Sequence, residues 1–140
     1  MPGFTQPEYL KGEATALTPG RLDLWIYCGD SFEQYLQFRY RNPDDSLDGP
    51  VDLTPYTVRA AEIRTIGMRD LIATINLIVP NNDLTAGDLI LQLDWEDTKS
   101  LEIYPELEWD LSFQYISPYQ TDSKVTVVKG KVYPLKEVTA

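Results

Sequence analysis

Residues able to do chemistry are few in this sequence. It contains no histidine, so the commonest general acid–base and the commonest transition-metal ligand are both missing. A Ser-His-Asp or Cys-His constellation cannot be assembled within the chain. One cysteine, Cys28, leaves no intrachain disulfide and too few ligands for a structural zinc site. What remains is carboxylate chemistry, from 22 Asp and Glu residues. Asp94 with Glu96, and Glu106 with Glu108, are paired at i and i+2 beside Trp95 and Trp109. On a strand, that spacing brings two carboxyls within the roughly 5–10 Å a glycosidase uses. Almost any solvated strand face offers the same spacing, so a solvated face is the expected reading.

The run Asp44-Asp45-Ser46-Leu47-Asp48-Gly49 matches the first half of an EF-hand loop. The match fails at the position of the bidentate Glu, where Pro55 stands. A looser oxygen cage with Asp52 is the remaining cation reading. Asp, Pro and Gly are also turn residues, and an acidic turn-rich connection is expected here. No Gly-x-Gly-x-x-Gly and no Walker-type loop occurs, so neither a nucleotide nor any other cofactor is expected.

The charge balance excludes some partners. Twelve Lys and Arg against 22 acids give a net charge of −10. Phosphate backbones and anionic membrane surfaces attract the opposite sign, so neither nucleic acid nor membrane is expected as a partner. The opening Met-Pro-Gly-Phe-Thr-Gln-Pro has no charged n-region or apolar h-region of a signal peptide. No apolar run reaches the ~20 residues of a spanning helix. The expected site of synthesis is a cytoplasm.

The elements that would position these residues read as strands. Period-two alternation appears in Leu22–Tyr27, Phe32–Tyr40, Thr57–Arg64, Leu71–Val79, Asp88–Asp94, Trp109–Ile116 and Val125–Tyr133. Cys28-Gly29-Asp30-Ser31 reads as a turn, Arg41 to Thr54 as a polar loop, and Trp95 to Tyr104 as a place for a helical turn. Cys28 continues the face of Leu22, Leu24 and Ile26, so it is expected to be buried. Trp25 and Trp109 lie inside strand runs, where core packing is expected. The alternation of Val125 and Val127 meets Val128 and Val132 out of phase, which predicts a β-bulge near Gly130. The fold expected is all-β: an antiparallel β-sandwich of about seven strands, Ig-like or jelly-roll-like, over residues 21–140. Residues 1–20 carry Pro2, Pro7 and Pro19 without periodicity and read as an extended N-terminal arm.

Surface candidates follow from the aromatics. Phe4, Tyr9, Leu10 and Leu17 give the arm apolar side chains to bury on a neighbouring subunit. Tyr104, Tyr115 and Tyr119, among Pro105 and Pro118, form a second candidate interface, because Tyr and Trp are enriched at protein contacts. Trp25, Trp95 and Trp109 are the anchors of an alternative reading, a carbohydrate-binding module.

Three stretches then carry a resemblance. They are Gly29-Asp30-Ser31-Phe32; Gly49-Pro50-Val51-Asp52-Leu53-Thr54 with Tyr56 to Ala60 and Ile63-Arg64; and Trp109-Asp110-Leu111-Ser112-Phe113 with Val127 to Val132. Together they span most of residues 22–139, and the chain resembles a family of tailed-bacteriophage virion β-sandwich domains. Its members occur in tail, baseplate and fibre-connector proteins. The arm lies outside the resemblance. The resemblance implies a non-enzymatic assembly module or adaptor, located in the virion. Implied partners are other virion proteins and copies of the chain itself, with a host glycan as a lesser one. A capsid-decorating or cement protein is the alternative in the same class.

Overall fold

The computed structural model describes residues 20–41, 47–56, 58–116 and 122–136. Ten strands follow one another: β1 (Gly20–Arg21), β2 (Leu24–Tyr27), β3 (Phe32–Gln37), β4 (Arg39–Arg41), β5 (Leu47–Pro50), β6 (Val58–Arg64), β7 (Leu71–Ile78), β8 (Asp88–Leu93), β9 (Leu107–Ile116) and β10 (Asp122–Leu135). Among the described residues one α-helix, α1 (Trp95–Lys99), interrupts them, besides two short 3-10 turns between β7 and β8. The expected all-β class is therefore observed, and α1 is the helical turn expected after Asp94. The apolar periodicity of the sequence explains the strands. Leu89, Leu91 and Leu93 of β8, and Leu107, Trp109, Leu111 and Phe113 of β9, are all fully buried on one face.

These strands do not divide into two separate antiparallel sheets. Eight form one sheet in the order β1-β10-β9-β6-β7-β8-β3, with β2 also on β10. The remaining two, β4 and β5, make a small ribbon of their own. The body of the main sheet is antiparallel, but β1 and β2 run parallel to β10. One face of this sheet supplies almost the whole core, from Leu24 and Ile26 through Ile63 and Ile75 to Leu93. A flat sheet could not remove that face from water by itself, so the sheet curls around its own side chains. Its ends are filled by Val51, Leu53, Tyr56 and Leu101, each buried. Phe113 joins Phe38 and Tyr56 at ring-centroid distances of 5.6 and 5.1 Å.

Val51 and Leu53 correct the reading of residues 41–54 as a polar loop. The ribbon β4–β5 occupies part of that stretch, and Val51 N–H donates to the Phe38 carbonyl at 3.0 Å. Leu53 N–H donates to Leu84 at 2.9 Å. Two apolar residues among turn formers were enough to anchor the segment in the core.

The phase break in β10 is a bulge, as expected, and it falls at Val127, where the register with β9 shifts between Thr126 and Val128. Val127 and Val128 are consequently both buried. Gly130 has a separate duty. A Cβ there would collide with the backbone carbonyl of Leu22, which crosses directly over it. Gly130→Ala is expected to destabilise the protein by about 2–3 kcal/mol, as overpacking against backbone does. Lys129→Ala, on the exposed neighbouring position, should stay within about 0.5 kcal/mol. Chemical denaturation of the two variants checks the contrast.

Candidate interaction surface

Strand β2 reads Leu-Trp-Ile-Tyr, and its two faces have opposite fates. Leu24 and Ile26 are 2% and 0% exposed, while Trp25 and Tyr27 are 58% and 59% exposed. Trp25 was expected in the core and is instead on the surface. Its phase, opposite to Leu24, Ile26 and the buried Cys28, decides this, and residue type does not. Across the parallel register, Trp25 meets Tyr133 and Tyr27 meets Leu135. The Trp25 and Tyr133 rings stack at 5.2 Å and 26°. Such a pair is worth about 0.5–1.5 kcal/mol beyond its area. The result is an aromatic strip along the strand that ends the sheet.

The strip is held firmly from behind. Cys28 N–H donates to the Leu135 carbonyl at 2.9 Å, extending the β2–β10 contact into the turn. Gly29, at φ +96°, turns the chain there. Thr98 of α1 is fully buried and clamps this turn: its hydroxyl accepts from Gly29 N–H at 3.0 Å and donates to the Asp30 carbonyl at 2.7 Å. Nothing in the residue type of Thr98 announced that role. Asp94 caps α1 by accepting from Asp97 N–H at 3.0 Å. Trp95, the first residue of α1, is 52% exposed. Burial pushes the Cys28 thiol up, and the Glu102 carboxylate adds to this, while Lys136 opposes it.

Trp109 is in the core, as expected, with its indole N–H donating to the Leu22 carbonyl at 2.7 Å. Tyr104 and Tyr115 are half-buried and pack against the core, Tyr115 edge-on to Tyr56 at 5.9 Å. Tyr119, Phe4, Tyr9, Leu10 and Leu17 lie outside the described residues. The paired carboxylates do not share a cleft. Asp94 is the helix cap, Glu96 is exposed, and Glu106 pairs with Lys131 at 2.8 Å. Asp52 accepts from Thr54 N–H at 2.9 Å in a tight turn, and residues 42–46 of that loop lie outside the described residues. Among the described residues no three His, Cys, Asp or Glu side chains gather as metal ligands.

The outer face of the sheet bears a charge mosaic. Glu62, Asp110 and Lys129 lie side by side across β6, β9 and β10, with Arg21 next on β1. A cavity of about 500 Å³ opens here, lined by Arg21, Met68, Glu108, Asp110, Lys129 and Lys131 among others. Burial pushes the Asp110 carboxyl above its ordinary range, and Glu62 adds to this, against Lys124 and Arg64. Among the described residues no helix is long and apolar enough to cross a membrane. No protein-family model matches the chain, and no curated protein matches it.

Two outcomes follow. Trp25→Ala should cost about 1 kcal/mol of stability, whereas Trp109→Ala should cost about 3–5 kcal/mol; urea titrations of both variants separate a surface indole from a core indole. For Asp110, a folded pKa above the unfolded one means that ionisation opposes folding. That penalty is present at neutral pH and fades as pH falls through the raised value. Asp110→Asn should therefore raise the melting temperature near pH 7, by the equivalent of about 1 kcal/mol or less after solvent screening. The gain should vanish near pH 3, which thermal scans across pH will read.

Proposed function

We propose that the chain is a non-enzymatic assembly module of a tailed-phage virion, working in the tail, baseplate or fibre-attachment region. The observation that carries this reading is the aromatic strip. Trp25 and Tyr27 stand on the terminal strand of a sheet, beside Tyr133, with more than half of each aromatic residue on β2 open to water. Exposed aromatics on a sheet edge are a liability in a free monomer and an anchor in a complex. The half-exposed Trp95 and the strongly exposed Ile103 add apolar surface. In this reading the curled sheet serves as a sandwich, its β2-β10-β9 side facing its β7-β8-β3 side across one core. Other virion proteins and further copies of the chain are the partners.

The stacked Trp25–Tyr133 pair also supports a second reading, a platform for a sugar ring, since such rings pack on aromatic faces. The two readings differ in what Trp25→Ala with Tyr27→Ala removes. Size-exclusion with light scattering should give a mass of at least twice the 16.0 kDa of one chain. The double variant should weaken that association at least tenfold, the size of one modest hot spot. A monomer at high concentration that is also missing from purified virions would overturn the assembly reading. Glycan-array binding lost in the same variant would put the sugar platform in its place.

A further inference from the structure

Among the described residues the curled sheet stops short of closing. Its two terminal positions are β3 on one side and β1 with β2 on the other. Between β1 and the Gln34–Phe38 half of β3 lies a cavity of about 240 Å³, floored by Val128. The side chains along this seam are only half-covered. Leu22, Phe32 and Leu36 pack on the core but are not buried, whereas Leu89, Leu91 and Leu93 on the adjacent β8 are fully buried.

On the side away from β8, Glu33, Tyr35 and Gln37 of β3 have no strand partner among the described residues. Phe38 N–H donates to Gly87 at 2.7 Å, and the antiparallel register pairs Leu36 with Leu89. Alternation then turns the N–H groups of Phe32, Gln34 and Leu36 toward β8, and those of Glu33, Tyr35 and Gln37 away from it. The Tyr35 carbonyl fits this reading, because it accepts from the Gln34 side chain at 3.1 Å instead of from a strand. Across the seam, β10 is paired with β9 from Asp122 to Val132, but on its other side β1 joins it only from Val128 onward among the described residues.

We propose that this seam is a docking site for an extended strand, and that the strand is residues 8–18 of a second copy of the chain. The proposal rests on the assembly reading and names its partner. Pro7 and Pro19 bracket an 11-residue run free of proline, which contains Tyr9, Leu10 and Leu17. Extended, it spans about 36 Å at ~3.3 Å per residue, while the six residues of β3 need only about 20 Å. The run is therefore long enough to fill a neighbour's seam and still leave a connecting stretch. Gly20 begins β1 at the mouth of the seam, so each copy emits its segment where it receives another. Main-chain bonds to Glu33, Tyr35 and Gln37 supply affinity, and the half-covered Leu22, Phe32 and Leu36 supply pockets for alternate side chains.

The test is made on the full chain by light scattering together with hydrogen exchange. Expected is an oligomer in which the Glu33, Tyr35 and Gln37 amides exchange slowly. Leu10→Asp with Leu17→Asp should give a monomer whose three amides exchange at least tenfold faster, while the near-ultraviolet signal of the buried Trp109 is retained. An excess of acetylated peptide of residues 8–18 should return that monomer's amides to slow exchange. A wild-type monomer with slow amides would overturn the second copy as donor, since the segment would then close its own seam. An oligomer whose three amides exchange fast, or one indifferent to the double variant, would overturn the strand while leaving assembly through the aromatic strip standing. A wild-type monomer with fast amides would overturn both.

Discussion

Leu22 crosses β10 at Gly130, and three hydrogen bonds fasten the crossing. Leu22 N–H donates to the Lys129 carbonyl at 3.0 Å, the Trp109 indole donates to the Leu22 carbonyl at 2.7 Å, and Lys131 N–H donates to the Asp23 carboxylate at 2.9 Å. Removing the side chain at position 130 lets two backbones approach, and filling the space beneath with an indole satisfies the crossing carbonyl. A buried indole N–H without a partner would cost on the order of 1–3 kcal/mol, so the crossing and the core residue require each other. Because Leu22 is fixed there, β2 must run parallel to β10, and its aromatic face must point outward.

That constraint explains why the fold is a curled mixed sheet. A hairpin with β3 would have made β2 antiparallel to its neighbour and joined the two ends of the sheet. Tying β2 to β10 instead separates it from β3, although only the turn Cys28–Ser31 lies between them. The Thr98 hydroxyl then holds the part of the turn beyond the Cys28–Leu135 bond, at Gly29 and Asp30. The two sheet edges left open among the described residues, and the aromatic strip, thus go back to one local arrangement around Gly130.

Much of this was legible in the sequence, and what was not has physical causes. Strand positions followed from alternation, and the doubled Val127-Val128 announced a bulge. The burial of Cys28 followed from the phase of its strand, and that of Trp109 from its place inside a strand run. The same phase placed Trp25 outside, and only the habit of assigning tryptophan to cores hid it. Thr98 and the β1–β10 pairing could not be read, because both join residues far apart in the chain: Thr98 meets Asp30, and Arg21 meets Lys129. Local pattern carries no term for such contacts. Residues 47–53 misled for a different reason. Turn-forming Asp, Gly and Pro dominate their composition, yet two apolar side chains, Val51 and Leu53, determine where the segment goes.

The paired carboxylates show why spacing alone could not find a site. Acids at i and i+2 share a strand face only if both lie on one strand. Asp94 ends β8 as a helix cap and Glu96 belongs to α1, so the pair is split between two elements. Glu106 precedes β9 and binds Lys131, while Glu108 lies on β9 opposite Lys131 and Arg64. Each acid thus has a cation or a helix end close by. Asp110 is a carboxylate whose surroundings push its pKa up, through burial and the facing Glu62, and Asp97 is pushed up in the same direction by burial and Asp94. At Asp110, Lys124 and Arg64 oppose that effect. The exposed surface that remains is apolar, at Trp25, Tyr27 and the seam, and exposed apolar surface of this kind marks a candidate interaction site.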